Sequence, residues 1–204
     1  MPDPDQYAAE LAVALRDDWQ FSRIFAKAKA RPGFTALLAL RVELQRVATT
    51  SEPGITAMKF EWWRNEIERG FAAEAQHPLV HALGKHLGKA GCAPEYCLEL
   101  VDAAETESGF PAGFSEQDFQ LYLYRSGGVL AELLAQLSGV TDRAALDAAR
   151  RLGQTKRFSD LLLSTGVMLR AERWLFPARW LADAGLTLQE LQAGEGSTAA
   201  TRAL

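Results

Sequence analysis

Apolar residues recur every three or four positions along most of this chain, and this spacing constrains the fold more than any other feature. The two clearest stripes are Leu37, Leu40 and Leu44, and Phe60, Trp63, Ile67 and Phe71. One face of an α-helix repeats with this period, whereas a half-buried strand alternates every second residue. No alternating stretch is long enough to form a strand. The sequence therefore predicts an all-α protein.

Proline and glycine mark where the predicted helices begin and end, because proline is tolerated in the first helical turn and glycine favours the end. On this basis we expect helices over about residues 4–15, 32–44, 53–71, 78–88, 94–109, 115–137 and 144–169, the last with a break near Gly166. No repeat or linker divides the chain. We predict a single domain over residues 1–190 and a flexible tail over residues 191–204, where Gly, Ser, Thr and Ala dominate.

Composition excludes several classes of protein. The net charge of -4 argues against a broad nucleic-acid surface, which needs clustered Lys and Arg. Only Cys92 and Cys97 are present, and they form no Cys-x-x-Cys motif, as suits a reducing cytoplasm. The longest apolar segments, residues 34–40 and 161–169, are shorter than the roughly 20 residues that span a bilayer. The first residues lack the basic and apolar regions of a secretory leader. We predict a cytoplasmic protein, with peripheral contact at the inner membrane left open.

Histidine spacing offers one metal-site hypothesis. His77 and His81 are four residues apart and share a helix face, but His86 falls on another face and no third ligand follows from the spacing. His77 also precedes Pro78, a position typical of a helix cap. We therefore predict a structural role for these histidines and no metal site.

Two further patterns each leave two interpretations open. Gly127-Gly128 lies inside a predicted helix, where each glycine costs about 1 kcal/mol relative to alanine. The pair favours either close approach of another helix or room for a ligand. Glu95, Glu99 and Asp102 share one helix face, which either is solvated or lines a cavity.

Four groups of residues resemble, in their order and spacing, the squalene/phytoene synthase family. The family places paired tryptophans, an arginine and a glutamate on a helix, followed by His-Pro, a Tyr-x-Tyr-Arg helix and an Arg-x-Tyr-Leu-Pro segment. The matching segments here are Trp62-Trp63-Arg64-Asn65-Glu66, His77-Pro78, Tyr122-Leu123-Tyr124-Arg125 and Arg173-Trp174-Leu175-Phe176-Pro177. With an opening segment at residues 21–40, the resemblance covers about residues 18–185.

The resemblance implies an all-α, isoprenoid (terpenoid) synthase-like helical bundle, shortened at its C-terminus, with helices around a central cavity. Active members join two prenyl diphosphates head to head. The departing pyrophosphate must be neutralised by Mg²⁺, which prefers hard oxygen ligands. In the family, two helices therefore present carboxylates across the cavity.

This chain departs from the family at those two helices. The first acidic motif maps onto Gln45, Arg46 and Thr49, and the second onto Ser164 and Met168. None of these side chains is a carboxylate. We therefore expect no catalytic residues, no metal ligands and no cofactor at these degenerate positions, with Mg²⁺ required only if the chain is nevertheless an enzyme.

The resemblance extends to a divergent branch of the family that includes a phytoene-synthase-like assembly factor of respiratory complex I. Our main hypothesis is a non-catalytic protein acting in binding or assembly, its partner a respiratory-complex subunit or a prenyl lipid. The alternative is an active head-to-head prenyl diphosphate transferase with rearranged metal ligands from Glu43, Asp102, Glu105, Glu107 and Asp160. A third hypothesis is a metal-free anion pocket formed by Arg23, Arg41, Arg46 and Arg125.

Together these hypotheses define one set of predicted binding residues. The set comprises Arg23, Arg41, Glu43, Arg46, Asp102, Tyr122, Arg125 and Asp160. Four aromatic residues are candidates for lining or filling the cavity, with ordinary core packing as their expected role. They are Trp62, Trp63, Phe119 and Tyr122.

Overall fold

A computed structural model describes residues 2–13, 19–49, 52–109 and 113–193. Its α-helices are α1 (Pro4–Ala12), α2 (Trp19–Phe25), α3 (Arg31–Ala48), α4 (Pro53–Phe71), α5 (Pro78–Lys89), α6 (Pro94–Gly109), α7 (Glu116–Leu123), α8 (Val129–Leu137), α9 (Arg143–Arg170), α10 (Ala178–Asp183) and α11 (Leu188–Ala193). A 3-10 turn (Ala28–Ala30) precedes α3, and a π-turn (Tyr124–Gly128) joins α7 to α8. The described residues contain no strand beyond one isolated bridge between Phe114 and Pro177, so the predicted all-α class is confirmed.

Side-chain caps fix where several helices begin. The Asp3 carboxylate accepts hydrogen bonds from the backbone N–H groups of Asp5 and Gln6, at 2.9 and 3.0 Å, at the start of α1. Ser115 Oγ accepts from the N–H of Asp118 at 3.1 Å at the start of α7. Such caps satisfy backbone donors that have no partner inside the helix.

Two large clusters of buried side chains form most of the core of the described residues, beside a small contact between Leu38 and Val42. The larger is built by α1, α3, α4, α5, α6 and α8 and contains both predicted stripes, including Leu37, Leu40 and Phe60. The smaller lies among α7, α9 and residues 174–181, and aromatic rings dominate it. Its rings are Phe114, Phe119, Tyr122, Phe158, Trp174, Phe176 and Trp180, with neighbouring centroids 5.0 to 6.3 Å apart.

Glycines allow two pairs of backbone segments to touch. A Cβ atom on Gly127 would lie 2.3 Å from the carbonyl oxygen of Gly153, so the π-turn packs directly against α9. A Cβ atom on Gly84 would lie 2.1 Å from the carbonyl oxygen of Gly70, where α5 crosses α4. Of the two interpretations of the Gly127-Gly128 pair, the structure shows close helix approach.

The structure differs from the sequence prediction at four places. The predicted helix over residues 115–137 is interrupted by the π-turn, and α9 continues through Gly166 without a break. Helices α2, α10 and α11 were not predicted as separate elements. The boundary expected between residues 190 and 191 falls inside α11, and residues 194–204 of the predicted tail lie outside the described residues. In the described part of the chain, no helix combines the length and apolarity needed to cross a membrane.

Candidate functional site

A narrow cleft of about 80 Å³ opens where α3, α6, α9 and the π-turn meet. Its lining residues are Arg41, Leu44, Gln45, Leu100, Ala103, Ala104, Glu107, Ser126 and Arg157. Pockets that enclose small molecules usually measure roughly 300–1,000 Å³. The cleft is therefore several times smaller than a typical ligand site.

Two residues of the cleft wall, Arg157 and Glu107, form a hydrogen-bond network with Tyr122 of α7. Arg157 donates to Glu107 Oε1 at 2.6 Å and, through Nε, to the hydroxyl of Tyr122 at 3.0 Å. The Tyr122 hydroxyl donates to the same Glu107 oxygen at 2.6 Å. Burial raises the pKa of Tyr122. Burial acts to lower the pKa of Arg157, but Tyr122 and Glu107 outweigh it and raise that pKa. The network therefore holds the neutral phenol of Tyr122 between the Arg157 guanidinium and the Glu107 side chain.

The residues predicted to align with the two metal motifs of the family do not offer the ligands of a magnesium site. Gln45 lines the cleft, whereas Arg46 is turned outward and pairs with Glu43 at 2.5 Å. Ser164 Oγ donates to the backbone carbonyl of Asp160 at 2.7 Å. Thr49 Oγ1 likewise donates to a backbone carbonyl within its own helix, and Met168 packs on the aromatic cluster.

Magnesium needs several hard, anionic oxygen ligands at one point. These five positions offer amide, guanidinium, hydroxyl and thioether groups. Across the described ranges, no three His, Cys, Asp or Glu side chains converge as a metal site would require. The donor set at the motif positions does not fit magnesium.

The acidic face of α6 is engaged by two arginines. Asp102 accepts from Arg64 on α4 at 2.8 Å and lies 3.4 Å from Arg125 of the π-turn. Arg64 also donates to Glu105, and Arg125 Nε donates to Glu99 Oε2 at 2.5 Å. All five side chains are between about one quarter and two fifths exposed. This face is a partly buried ion-pair network that ties α4, α6 and the π-turn together.

The remaining predicted binding residues are distributed over the surface of the bundle. Asp160 pairs with Lys156 one helical turn away at 2.9 Å, and Glu43 pairs with Arg46. Arg23 lies in a separate groove, where it contacts the Thr35 hydroxyl at 3.5 Å. Of the predicted binding arginines in the described residues, only Arg41 lines the central cleft.

The paired-tryptophan and His-Pro motifs form a structural corner between α4 and α5. The buried carboxylate of Glu66 accepts hydrogen bonds from the N–H groups of Gln76 and His77, at 2.5 and 2.6 Å. Trp62 and Trp63 pack edge-on against the His77 ring at 5.7 and 5.3 Å. Trp63, Phe119 and Tyr122 are buried, as expected for core residues, whereas Trp62 is 47% exposed.

Sequence reasoning missed Arg157 and the capping role of Glu66. A signal for Arg157 was present, because it completes a row of four-residue intervals on α9 whose other members, Gly153, Leu161 and Thr165, are buried. A cation in the middle of an inward-facing row must find an anionic partner. The sequence did not indicate that this partner is Glu107.

The arrangement of the bundle, with α3, α6 and α9 facing one cleft, is that of the isoprenoid synthase folds. It superimposes on a squalene synthase, HpnC, from Alicyclobacillus acidocaldarius with a TM-score of 0.86 and 17% identity, covering 98% of this chain and 76% of that one. A dehydrosqualene synthase gives a TM-score of 0.77 at 13% identity, with 98% and 73% covered. Residues 21–204 match the family model described as squalene/phytoene synthase. The chain belongs to the squalene/phytoene synthase family.

Relatives with described roles fall into two groups. A phytoene synthase from Pseudescherichia vulneris is 28% identical over 130 residues, 64% of this chain and 42% of the relative. A Drosophila melanogaster homologue of NADH dehydrogenase (ubiquinone) complex I assembly factor 6 is 24% identical over 201 residues, 93% of this chain and 60% of the relative. The chain therefore spans less than two thirds of the length of either relative.

Proposed function

We propose that this protein is a non-catalytic member of the squalene/phytoene synthase family that acts in binding or assembly, with assembly of a respiratory complex as its specific role. The observation that carries the proposal is the replacement of both family metal motifs. A pyrophosphate leaving group gathers negative charge that divalent cations must offset. Gln45, Arg46, Thr49, Ser164 and Met168 provide no carboxylate for that purpose.

The contents of the cleft support the same proposal. Arg157, Glu107 and Tyr122 satisfy one another's hydrogen-bonding groups in the space between α6, α7 and α9. A prenyl chain needs a long apolar channel, whereas this cleft measures about 80 Å³ and has polar residues on its wall. The cleft is therefore too small for a prenyl lipid. This favours a protein as the binding partner.

The likeness to the complex I assembly factor homologue supports the specific role, because that alignment covers 93% of this chain. The alignment with the phytoene synthase covers 64% of it. The phytoene synthase is the more identical of the two, at 28% against 24%, so coverage alone favours the assembly factor homologue. One fold can host unrelated functions, so a member of this family need not retain the chemistry of its catalytic relatives.

Incubation with Mg²⁺ and farnesyl or geranylgeranyl diphosphate tests the non-catalytic part of the proposal. We expect no pyrophosphate release above that of a protein-free control, while an active phytoene synthase run alongside releases it and forms a hydrocarbon product. Metal-dependent turnover abolished by Asp102→Ala would instead establish the rearranged-ligand transferase.

Removal of the gene from its own cells tests the assembly part. We expect membranes of these cells to lose rotenone-sensitive NADH:ubiquinone reductase activity and the assembled complex on native gels. Complementation with the wild-type chain should restore both. Full activity and normal assembly in the deleted cells would contradict the specific role while leaving the diphosphate result unaffected.

A further inference from the structure

Helix α2 presents large apolar side chains to solvent. Phe21, Ile24 and Phe25 are spaced three and four residues apart, so they share one face of the helix. Their exposed fractions are 62%, 62% and 87%. Single exposed apolar residues are ordinary on protein surfaces, whereas larger contiguous apolar patches often belong to interaction sites.

Exposed cations follow this apolar face along the chain. Residues 19–42 include five Lys or Arg residues and no Asp or Glu, although the whole chain has a net charge of -4. Lys27, Lys29 and Arg31 follow α2 directly and are exposed. Among the described residues, none of these three pairs with a carboxylate. The segment that follows α2 is therefore positively charged, whereas Asp17 and Asp18 precede α2 in the sequence.

The guanidinium of Arg31 fixes α2 to the bundle. Its Nε donates to the backbone carbonyl of Ala26 at 3.0 Å, and a terminal nitrogen donates to that of Ile24 at 3.2 Å. These carbonyls lie at the end of α2, where the helix itself provides no donors. The apolar face is thus held outward by its own neighbouring cation.

A groove of about 510 Å³ runs beside α2 and adds to its positive character. Arg23, Ile24 and Arg31 line it, together with Asp5. The Asp5 carboxylate is already paired with Lys85 and His86, each at 2.7 Å. The groove therefore offers two guanidinium groups next to an apolar side chain.

We propose that α2 and the following cations form a docking surface for an anionic lipid bilayer. Phe21, Ile24 and Phe25 insert at the boundary between headgroups and acyl chains, while Lys27 and Lys29 bind lipid phosphates. Amphipathic segments with aromatic residues on one side and lysines beside them bind membrane surfaces in this way. This inference concerns a different surface from the cleft and goes beyond the proposed function.

Co-sedimentation with vesicles tests the docking surface. We expect the wild-type chain to bind vesicles of phosphatidylcholine mixed with phosphatidylglycerol, to bind phosphatidylcholine alone weakly, and to dissociate at high salt. Phe21→Ser/Phe25→Ser should lower the partition coefficient by roughly tenfold or more, since two large apolar groups no longer leave water. Lys27→Gln/Lys29→Gln should lower it by roughly tenfold on the anionic vesicles only.

Matched variants on α9 distinguish binding through this surface from nonspecific hydrophobic binding to vesicles. Leu163 and Val167 are also exposed, at 87% and 61%, and are four residues apart. Leu163→Ser/Val167→Ser should therefore bind vesicles like the wild-type chain. Phe25→Ala alone is a milder second variant. Circular dichroism of each variant checks that it folds.

Three results would overturn the inference. One is no binding of the wild-type chain to the anionic vesicles. Another is an equal loss of binding in the α9 variant. The third is a change of oligomeric state in the Phe21→Ser/Phe25→Ser variant with vesicle binding intact, which would assign the face to contact between two copies. None of these results depends on the diphosphate assay.

Discussion

The buried carboxylate of Glu66 stabilises the corner between α4 and α5. Glu66→Ala leaves the N–H groups of Gln76 and His77 without acceptors inside the protein. We expect a loss of about 2–4 kcal/mol in the free energy of unfolding, because each buried unsatisfied donor costs about 1–3 kcal/mol. Glu66→Gln retains one acceptor oxygen and should lose about half as much. Urea unfolding measures both.

The exposed Glu68, two residues along the same helix, provides the matched control. Glu68→Ala should change the unfolding free energy by less than about 0.5 kcal/mol. Equal losses for Glu66→Ala and Glu68→Ala would show that the Glu66 carboxylate does not cap the corner.

His77 makes the stability of the same corner depend on pH. Burial lowers the pKa of His77 below its ordinary value of 6.5, against the opposing effect of Glu43 and Glu66, and its buried Nδ1 has no hydrogen-bond partner among the described residues. Below pH 6.5 the unfolded chain therefore takes up a proton that the folded chain resists. Stability from this residue is complete above pH 6.5 and falls as the pH decreases through that value.

Thermal unfolding between about pH 7.5 and pH 5.5 measures this dependence. We expect His77→Phe, which keeps a ring among Trp62, Trp63 and Tyr7, to show a smaller fall in Tm over this range than the wild-type chain. His81→Gln, one helical turn further on α5, should preserve the wild-type slope. If Tm falls equally with decreasing pH in the wild-type chain and in His77→Phe, His77 is not the source of the pH dependence.

At the scale of elements, the contact between the π-turn and α9 depends on two glycines. A methyl group on Gly127 would overlap the Gly153 backbone, which has no flexible end to move aside. Gly127→Ala should therefore lower the unfolding free energy by about 1–3 kcal/mol. Gly88→Ala, in an open part of α5 with no neighbouring atom within 4 Å, should raise it by about 0.5–1 kcal/mol. Opposite signs in chemical denaturation confirm the contact, and a stabilising Gly127→Ala contradicts it.

Helix boundaries were the part of the fold that local chemistry could predict. Pro53, Pro78 and the Ser115 cap act within one turn of sequence, and the structure places α4, α5 and α7 accordingly. The π-turn could not be predicted, because its position depends on the distant contact between Gly127 and Gly153. The 3.6-residue period also continues across Gly166, whose neighbours on α9 provide the packing that keeps the helix whole.

The candidate site was predictable only where it depended on residue type. The loss of carboxylates at Gln45 and Ser164 could be seen directly in the sequence. The partners of the remaining acids could not, since Asp102 meets Arg64 across 38 residues of chain and Glu107 meets Arg157 across 50. Pairings over such separations depend on how the helices cross. The local pattern of a single sequence does not predict these crossings.

At the scale of the whole molecule, a hydrogen-bond network links helices that belong to the two core clusters. The larger core contains Leu100 and Val101 of α6, and the smaller contains Tyr122 and Leu161. Glu107 lies at the end of α6, and Arg157 lies one turn before Leu161 on α9. The Arg157–Glu107–Tyr122 network therefore joins the helices of the two clusters at the cleft.

Replacing Arg157 tests how far the molecule depends on this connection. Arg157→Met leaves Glu107, whose side chain is 23% exposed, without its cation, and we expect a loss of about 3–5 kcal/mol in unfolding free energy. Arg157→Met/Glu107→Leu should recover most of this loss, because an apolar pair leaves no isolated charge. The exposed Arg151, on the same helix, should tolerate Arg151→Met within about 0.5 kcal/mol. A double-mutant cycle by urea unfolding measures the coupling, and additive losses from the two single changes would show that the pair does not join the clusters.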